Sequence, residues 1–153
     1  MVRLIDLEPH GRARIADLDC ASFDTEPWVT GPPLARRRLA MVSTAGLAHR
    51  DDRPFPAGAK DYRTIPSDSE VRDILMSHVS VNYDRTGFQQ DINVAFPIER
   101  LNEMAAAGTI GSIGPSHYSV MGATDPLDIA DAAHEIAAQM KSDAVDTALL
   151  VPV

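Results

Sequence analysis

Apolar residues in this chain fall into short runs and helical stripes, separated by stretches dense in proline, glycine and acid. Residues 1–37 hold no sustained pattern. Ser22-Phe-Asp-Thr-Glu-Pro-Trp28 and Thr30-Gly-Pro-Pro33 are rich in turn formers, so an arm with little regular structure is expected. Phe23 and Trp28 are its apolar anchors, expected to pin it to the body. Leu39-Ala-Met-Val-Ser-Thr44 reads as a buried strand ended by Ala45-Gly46. Residues 49–69 are polar and rich in Asp, Pro and Gly, and predict a long surface loop. A second strand is expected over 74–82, with Leu75, Val79 and Val81 on one face and Met76, His78, Ser80 and Asn82 on the other.

The clearest helix follows Pro97. Ile98, Leu101, Met104 and Ala105 form its apolar stripe, Glu99 complements its positive end, and Gly108 supplies a left-handed stop. Gly-punctuated 110–121 predicts a third short strand and a loop. A second helix begins near Asp125-Pro126 and is expected to bury Ile129, Ala133, Ile136 and Met140. Val145-Asp-Thr-Ala-Leu-Leu-Val-Pro-Val153 predicts a fourth strand, apolar where chain ends are usually polar. Strands alternating with helices imply an α/β domain over 38–153, with a mostly parallel sheet flanked by helices in a flavodoxin- or Rossmann-like three-layer arrangement, incomplete at its C-terminal end. An uncovered last strand favours self-association, so a homo-oligomer is an expected state.

Composition narrows the function. With 14 Lys+Arg against 22 Asp+Glu, the net charge is −8, which disfavours nucleic acid and anionic membrane surfaces as partners. No apolar run approaches the about 20 residues that span a bilayer, and Met1 to Arg14 lacks a signal core, so a cytoplasmic location is expected. The lone Cys20 excludes an intramolecular disulfide, and its neighbours Asp17, Asp19 and Asp24 disfavour a reactive thiolate. His10, His49, His78, His117 and His134 are scattered with no i, i+4 pair, so no metal site is expected.

In parallel sheets, ligands bind beyond the carboxyl ends of the strands. That rule marks Thr44-Ala-Gly46, Asn82-Tyr-Asp84-Arg85, the loop around Ser116-His-Tyr118, and whatever follows Val153. His78, Asn82, Asp84, Arg85, Asp91 and Asn93 crowd one stretch. Either an imidazole and carboxylates converge there on a polar ligand, or Asp84 and Asp91 cap turns, Asn93 caps a helix, and His78 is a hydrogen-bonded interior residue. His117 has the same two readings: proton donor, or half-buried neighbour of Tyr118. Gly108-Thr-Ile-Gly111-Ser-Ile-Gly114 follows a helix instead of joining strand to helix, the wrong context for a phosphate loop. Arg36, Arg37 and Arg38 read as a solvated entry to the first strand.

Three stretches resemble the selenoprotein B family of glycine, sarcosine, betaine and D-proline reductases. The first is Met41-Val-Ser-Thr-Ala-Gly-Leu47 with Arg53-Pro-Phe55 and Asp61-Tyr-Arg63. The second, and most specific, is Ser77-His-Val-Ser-Val-Asn-Tyr-Asp-Arg85 through Gln90-Asp-Ile-Asn93 to Phe96-Pro-Ile-Glu-Arg-Leu101. The third joins Gly108-Thr-Ile-Gly111 to His117-Tyr-Ser-Val-Met-Gly122. The likeness covers about residues 27–153.

The resemblance implies a reactive selenocysteine or cysteine directly after the strand that ends at Val153. The expectation is therefore that Val153 precedes a UGA codon and that the chain is truncated there. It further implies reductive C–N cleavage of a small amine or amino acid, with a redox partner protein and no cofactor. The roles it implies are His78 or His117 as acid, Arg85 as carboxylate clamp, Asp84 or Asp91 as orienting groups, and Asn82, Asn93 and Tyr118 as substrate contacts. The reductase subunits proper are longer, and without its nucleophile the chain as it stands is expected to be inactive. Two other readings stand beside this one: a non-catalytic ligand-binding or partner-docking module, and a thiol-redox accessory protein.

Overall fold

The computed structural model describes residues 3–17, 21–81 and 83–153. Its elements run α1 (Pro9–Ala16), β1 (Arg38–Ser43), β2 (Leu47–His49), β3 (Tyr62–Pro66), β4 (Ile74–Met76), α2 (Thr86–Gln90), α3 (Ile98–Ala106), β5 (Ser112–Ile113), β6 (Ser116–Val120), α4 (Ala130–Ser142) and β7 (Thr147–Val151).

β1 is the axis of the sheet, because Leu39, Ala40 and Met41 are buried on both of its faces. β7 lies parallel to it along one side, in register from Leu39↔Thr147 to Ser43↔Val151. Along the other side run β5, paired through Leu39↔Ile113, and then β6, paired through Val42↔Tyr118, both parallel to β1. β3 closes the far edge antiparallel to β6. The order is β3–β6–β1–β7: a mostly parallel sheet with one antiparallel edge, as the sequence pattern led one to expect. β2 and β4 form a separate antiparallel ribbon.

Side chains alternate across β1 and so build two cores. Leu39 and Met41 pack with Phe96, Ile98 and Leu101 beneath α3, while Ala40 joins Tyr118, Ile136 and Met140 beneath α4. α3 forms where the stripe Ile98–Leu101–Met104 meets the first of these cores. It stops at Gly108, whose φ of 70° is the left-handed conformation expected of it. α4 is entered through Asp125, whose carboxylate accepts the Leu127 amide at 2.9 Å, with Pro126 in the first turn. Its buried Ile136 and Met140 each contribute about 2 kcal/mol of apolar burial. The step from β1 to β6 crosses the α3 face. The step from β6 back past β1 to β7 crosses the α4 face. Opposite directions on opposite faces give both crossovers one hand.

Four sequence expectations are corrected. The loop over 49–69 contains β3, because Arg63 and Ile65 are buried while Thr64 between them is exposed, a period of two hidden by the surrounding Asp and Pro. The strand expected over 74–82 ends at Met76. There the Ser77 amide and hydroxyl both turn to the Gly46 carbonyl, and Leu75, Val79 and Val81 are left exposed. Phe23 and Trp28 anchor nothing: Trp28 is 90% exposed, and the arm also carries the helical turn α1. Ala133 lies on the exposed side of α4, one residue past the buried Ala132.

Candidate functional site

The carboxyl ends of β1, β6 and β7 are drawn together by Thr44. Its amide donates to the Val151 carbonyl at 3.1 Å, its carbonyl accepts the Gly122 amide at 2.9 Å, and its hydroxyl accepts the Val153 amide at 2.9 Å. Gly122 is required for this approach, since a Cβ there would lie 2.6 Å from the Thr44 oxygen. The loop after β4 is laid across these ends. Gly46, at φ 63°, lets the backbone of His78 come within 3.2 Å of where a Cβ would sit, and Ser77 bonds to its carbonyl. Phe55 reaches the same serine, its amide donating to Ser77 Oγ at 2.9 Å.

These contacts frame a cleft of about 220 Å³ lined by His78, Ser80, Tyr83, Gly122, Ala123 and Val153. His78 is only 6% exposed, with its ring centroid 5.0 Å from that of Tyr83. The Ser80 amide donates to His78 Nδ1 at 3.1 Å, which places the proton of the neutral ring on Nε2. That Nε2 is buried and has no hydrogen-bond partner among the described residues. Burial, aided by the positive charge of Arg85, holds the His78 pKa below its ordinary value, and burial pushes the Tyr83 phenol up. The cleft thus contains a neutral imidazole with an N–H donor to spare and a phenol that keeps its proton.

The remaining predicted residues are spread more widely. Arg85 lies behind the cleft and donates to the carbonyls of His78 and Ser80, so its guanidinium braces the histidine loop. Asp84 accepts the Thr86 amide at the start of α2, and Asp91 accepts both the amide and the side-chain nitrogen of Asn93. Asn93 in turn donates to Glu99 at 2.6 Å. These three residues hold turns, and none lines the cleft. Their hydrogen bonds keep Asp84 and Asp91 below the usual carboxylate range. Asn82 and Cys20 lie outside the described residues.

His117 is fully enclosed beneath α3. Its Nδ1 accepts the Met41 amide at 3.0 Å, its ring meets Phe96 edge-on, and burial lowers its pKa to about 4. Tyr118 is buried on the opposite face against α4, with its ring edge-on to Tyr62. Ser80, Tyr83, Gly122 and Ala123 were not singled out from sequence. Tyr83 could have been, because it sits inside the segment marked by the strand-end rule. Among the described residues, no group of three or more His, Cys, Asp or Glu side chains is placed to hold a metal ion, and no helix is long and apolar enough to cross a membrane.

Comparison with known proteins places the chain in a family. Residues 23–153 match the glycine/sarcosine/betaine reductase selenoprotein B family. The chain is 35% identical over 115 residues to the D-proline reductase subunit gamma of Acetoanaerobium sticklandii, a match covering 73% of this chain and 47% of that protein. It is 25% identical over 164 residues to the glycine reductase complex component B subunit gamma of Carboxydothermus hydrogenoformans, covering 94% of this chain and 38% of that protein. The chain thus spans half or less of the curated relatives it matches. No solved structure matches it. With the family match extending from residue 23 through Val153, the chain belongs to the glycine/sarcosine/betaine reductase selenoprotein B family.

Proposed function

We propose that this chain is the portion of a reductase subunit that presents a reactive selenium or sulfur, carried by the residue directly after Val153, to a small amine or amino acid in the His78 cleft. The observation that carries this reading is that Val153 and His78 line the same cleft. A selenol ionises below a thiol and is anionic near neutral pH. The selenolate attacks the carbon bearing nitrogen, the Se–C bond forms as C–N breaks, and the amine leaves with the electron pair and takes up a proton. A thiolate of a partner protein then attacks selenium. The carbon fragment departs with its electron pair and is protonated, and a second thiol opens the Se–S bond to restore the selenolate. The relatives' description as subunits of reductases supports such a partner.

In this reading His78 works as a neutral imidazole, donating Nε2–H to the chalcogenolate or to the departing amine. We assign that role to His78 in preference to His117, because His78 lines the cleft while His117 is sealed beneath α3. Arg85, Asp84, Asp91 and Asn93 hold the loops around the cleft, with Arg85 in direct contact with the backbone of His78.

Reading the gene past codon 153 is the first test: an in-frame UGA supports the proposal, and UAA or UAG there ends it. The second restores the downstream sequence with cysteine directly after Val153 and supplies dithiothreitol. Release of ammonia or amine from glycine, sarcosine or betaine, or opening of the proline ring to a straight-chain amino acid, is the expected result. Disulfide exchange without amine release would instead make this a thiol-redox accessory protein, and ligand binding without either would make it a binding module.

A further inference from the structure

The α4 face of the sheet carries an open groove of about 490 Å³ beside β7, lined by apolar side chains apart from Thr44. Its floor is Val42 of β1 with Ala148 and Leu150 of β7, and its wall is Ala133 and Ala137 of α4. α4 turns Ala132, Ile136 and Met140 onto the sheet and so covers the β6–β1 side, leaving the β7 side bare. Leu150 is 66% exposed on the face of β7, where parallel strands are ordinarily covered. Among the described residues, no strand pairs with the outer edge of β7 either.

Topology specifies what fits there. The step from β6 to β7 moves across the sheet on the α4 face. A further step of the same hand and direction, from β7 to a strand on its free edge, brings its connecting helix down on that same face, directly beside α4. The small side chains Ala133 and Ala137, one turn apart, let a neighbouring helix approach closely. Pro152 lines the groove while Val153 lines the cleft, so chain leaving β7 passes the cleft before it can turn back.

We infer that the groove seats an amphipathic helix of the same polypeptide, downstream of Val153, and that the strand after that helix pairs in parallel with the free edge of β7. The inference shares with the proposed function only the premise that more chain follows Val153, and it needs no selenium. A helix seated there begins beside His78, and its positive end favours an anionic chalcogen at its first turn.

The test compares the 153-residue chain with the polypeptide extended to the end of its reading frame, with cysteine at the chalcogen position. Amide hydrogen exchange over 133–140 and 148–151 is expected to slow at least about tenfold in the extended chain. Leu150→Asp is expected to lower the melting temperature of the extended chain and to leave that of the short chain nearly unchanged. Equal exchange in the two chains overturns the inference. So does a reading frame closed at codon 153, or a short chain already protected as a dimer that Leu150→Asp dissociates, which would make a second copy the occupant. Should Leu150→Asp prevent folding, the exchange comparison between unsubstituted chains still decides. Amine release without protection of the groove defeats this inference alone, whereas protection without amine release defeats the reductase reading alone.

Discussion

The hydroxyl of Thr44 accepts the amide of Val153 at 2.9 Å, and through that bond the end of β1 fixes where β7 delivers the chain. The bond is solvent-exposed, so Thr44→Val should cost only about 1 kcal/mol of stability. Its effect on chemistry should be larger. In the extended cysteine form, amine release should fall by at least about tenfold, since a small displacement of a nucleophile is amplified in rate. Parallel urea titrations and turnover assays check this, and a stability loss with unchanged turnover would detach Thr44 from the reaction.

Gly46→Ala should be among the most damaging small substitutions. The left-handed φ of 63° disfavours any side chain, and the new methyl would sit 3.2 Å from backbone atoms of His78. A loss of about 1–3 kcal/mol is expected in chemical denaturation. The His78–Ser80 hydrogen bond should weaken with it, which the imidazole nitrogen shifts in NMR would register.

Arg63→Lys should destabilise by about 3 kcal/mol, because the guanidinium is buried at 3% exposure and its roles are not ones an ammonium can take together. It pairs with Asp61 at 3.0 Å, donates to the carbonyls of Arg53 and Tyr62, and stacks 4.2 Å from the Phe55 ring centroid. The segment 53–61 should loosen, seen as faster proteolytic nicking there than in the parent chain.

Stability should fall on mild acidification. Burial lowers the His117 pKa from 6.5 to about 4, so the unfolded chain takes up this proton first. The contribution is intact above pH 6.5 and is lost as pH falls toward 4, amounting to about 3 kcal/mol at full extent. His78, lowered in the same direction, adds to the trend. Asparagine at position 117 retains an acceptor for the Met41 amide but has no proton to take up. His117→Asn should therefore flatten the denaturation free energy between pH 6.5 and 4, and an unchanged slope would contradict the assignment.

Much of this was legible in the sequence, and the failures share a cause. α3 and α4 announced themselves because a stripe such as Ile98–Leu101 sits between a capping signal and a stop, all within one local stretch. β1 and β7 were legible as apolar runs. β3 was not, because what buries Arg63 is a set of acceptors contributed by residues 52–62, and a buried arginine reads as surface in any linear pattern. The site was half legible. His78 drew notice because it crowds with other polar residues beside the segment that the strand-end rule marks, as did Asp84, Asp91 and Asn93, yet Asp84 and Asp91 act as caps and Asn93 bonds to Asp91 and Glu99. Gly122 and Ala123 meet His78 only through the crossing of the loops after β4 and β6, which no local pattern encodes.

The central claim is that the reactive atom sits within reach of His78, and the ionisation of a cysteine placed directly after Val153 in the extended chain tests it most directly. Its pH-dependent alkylation rate should give a thiol pKa below the ordinary value of about 8.5, and His78→Ala should raise that pKa by about one unit as the Nε2–H donor is lost. A thiol pKa that His78→Ala leaves unmoved would contradict the account.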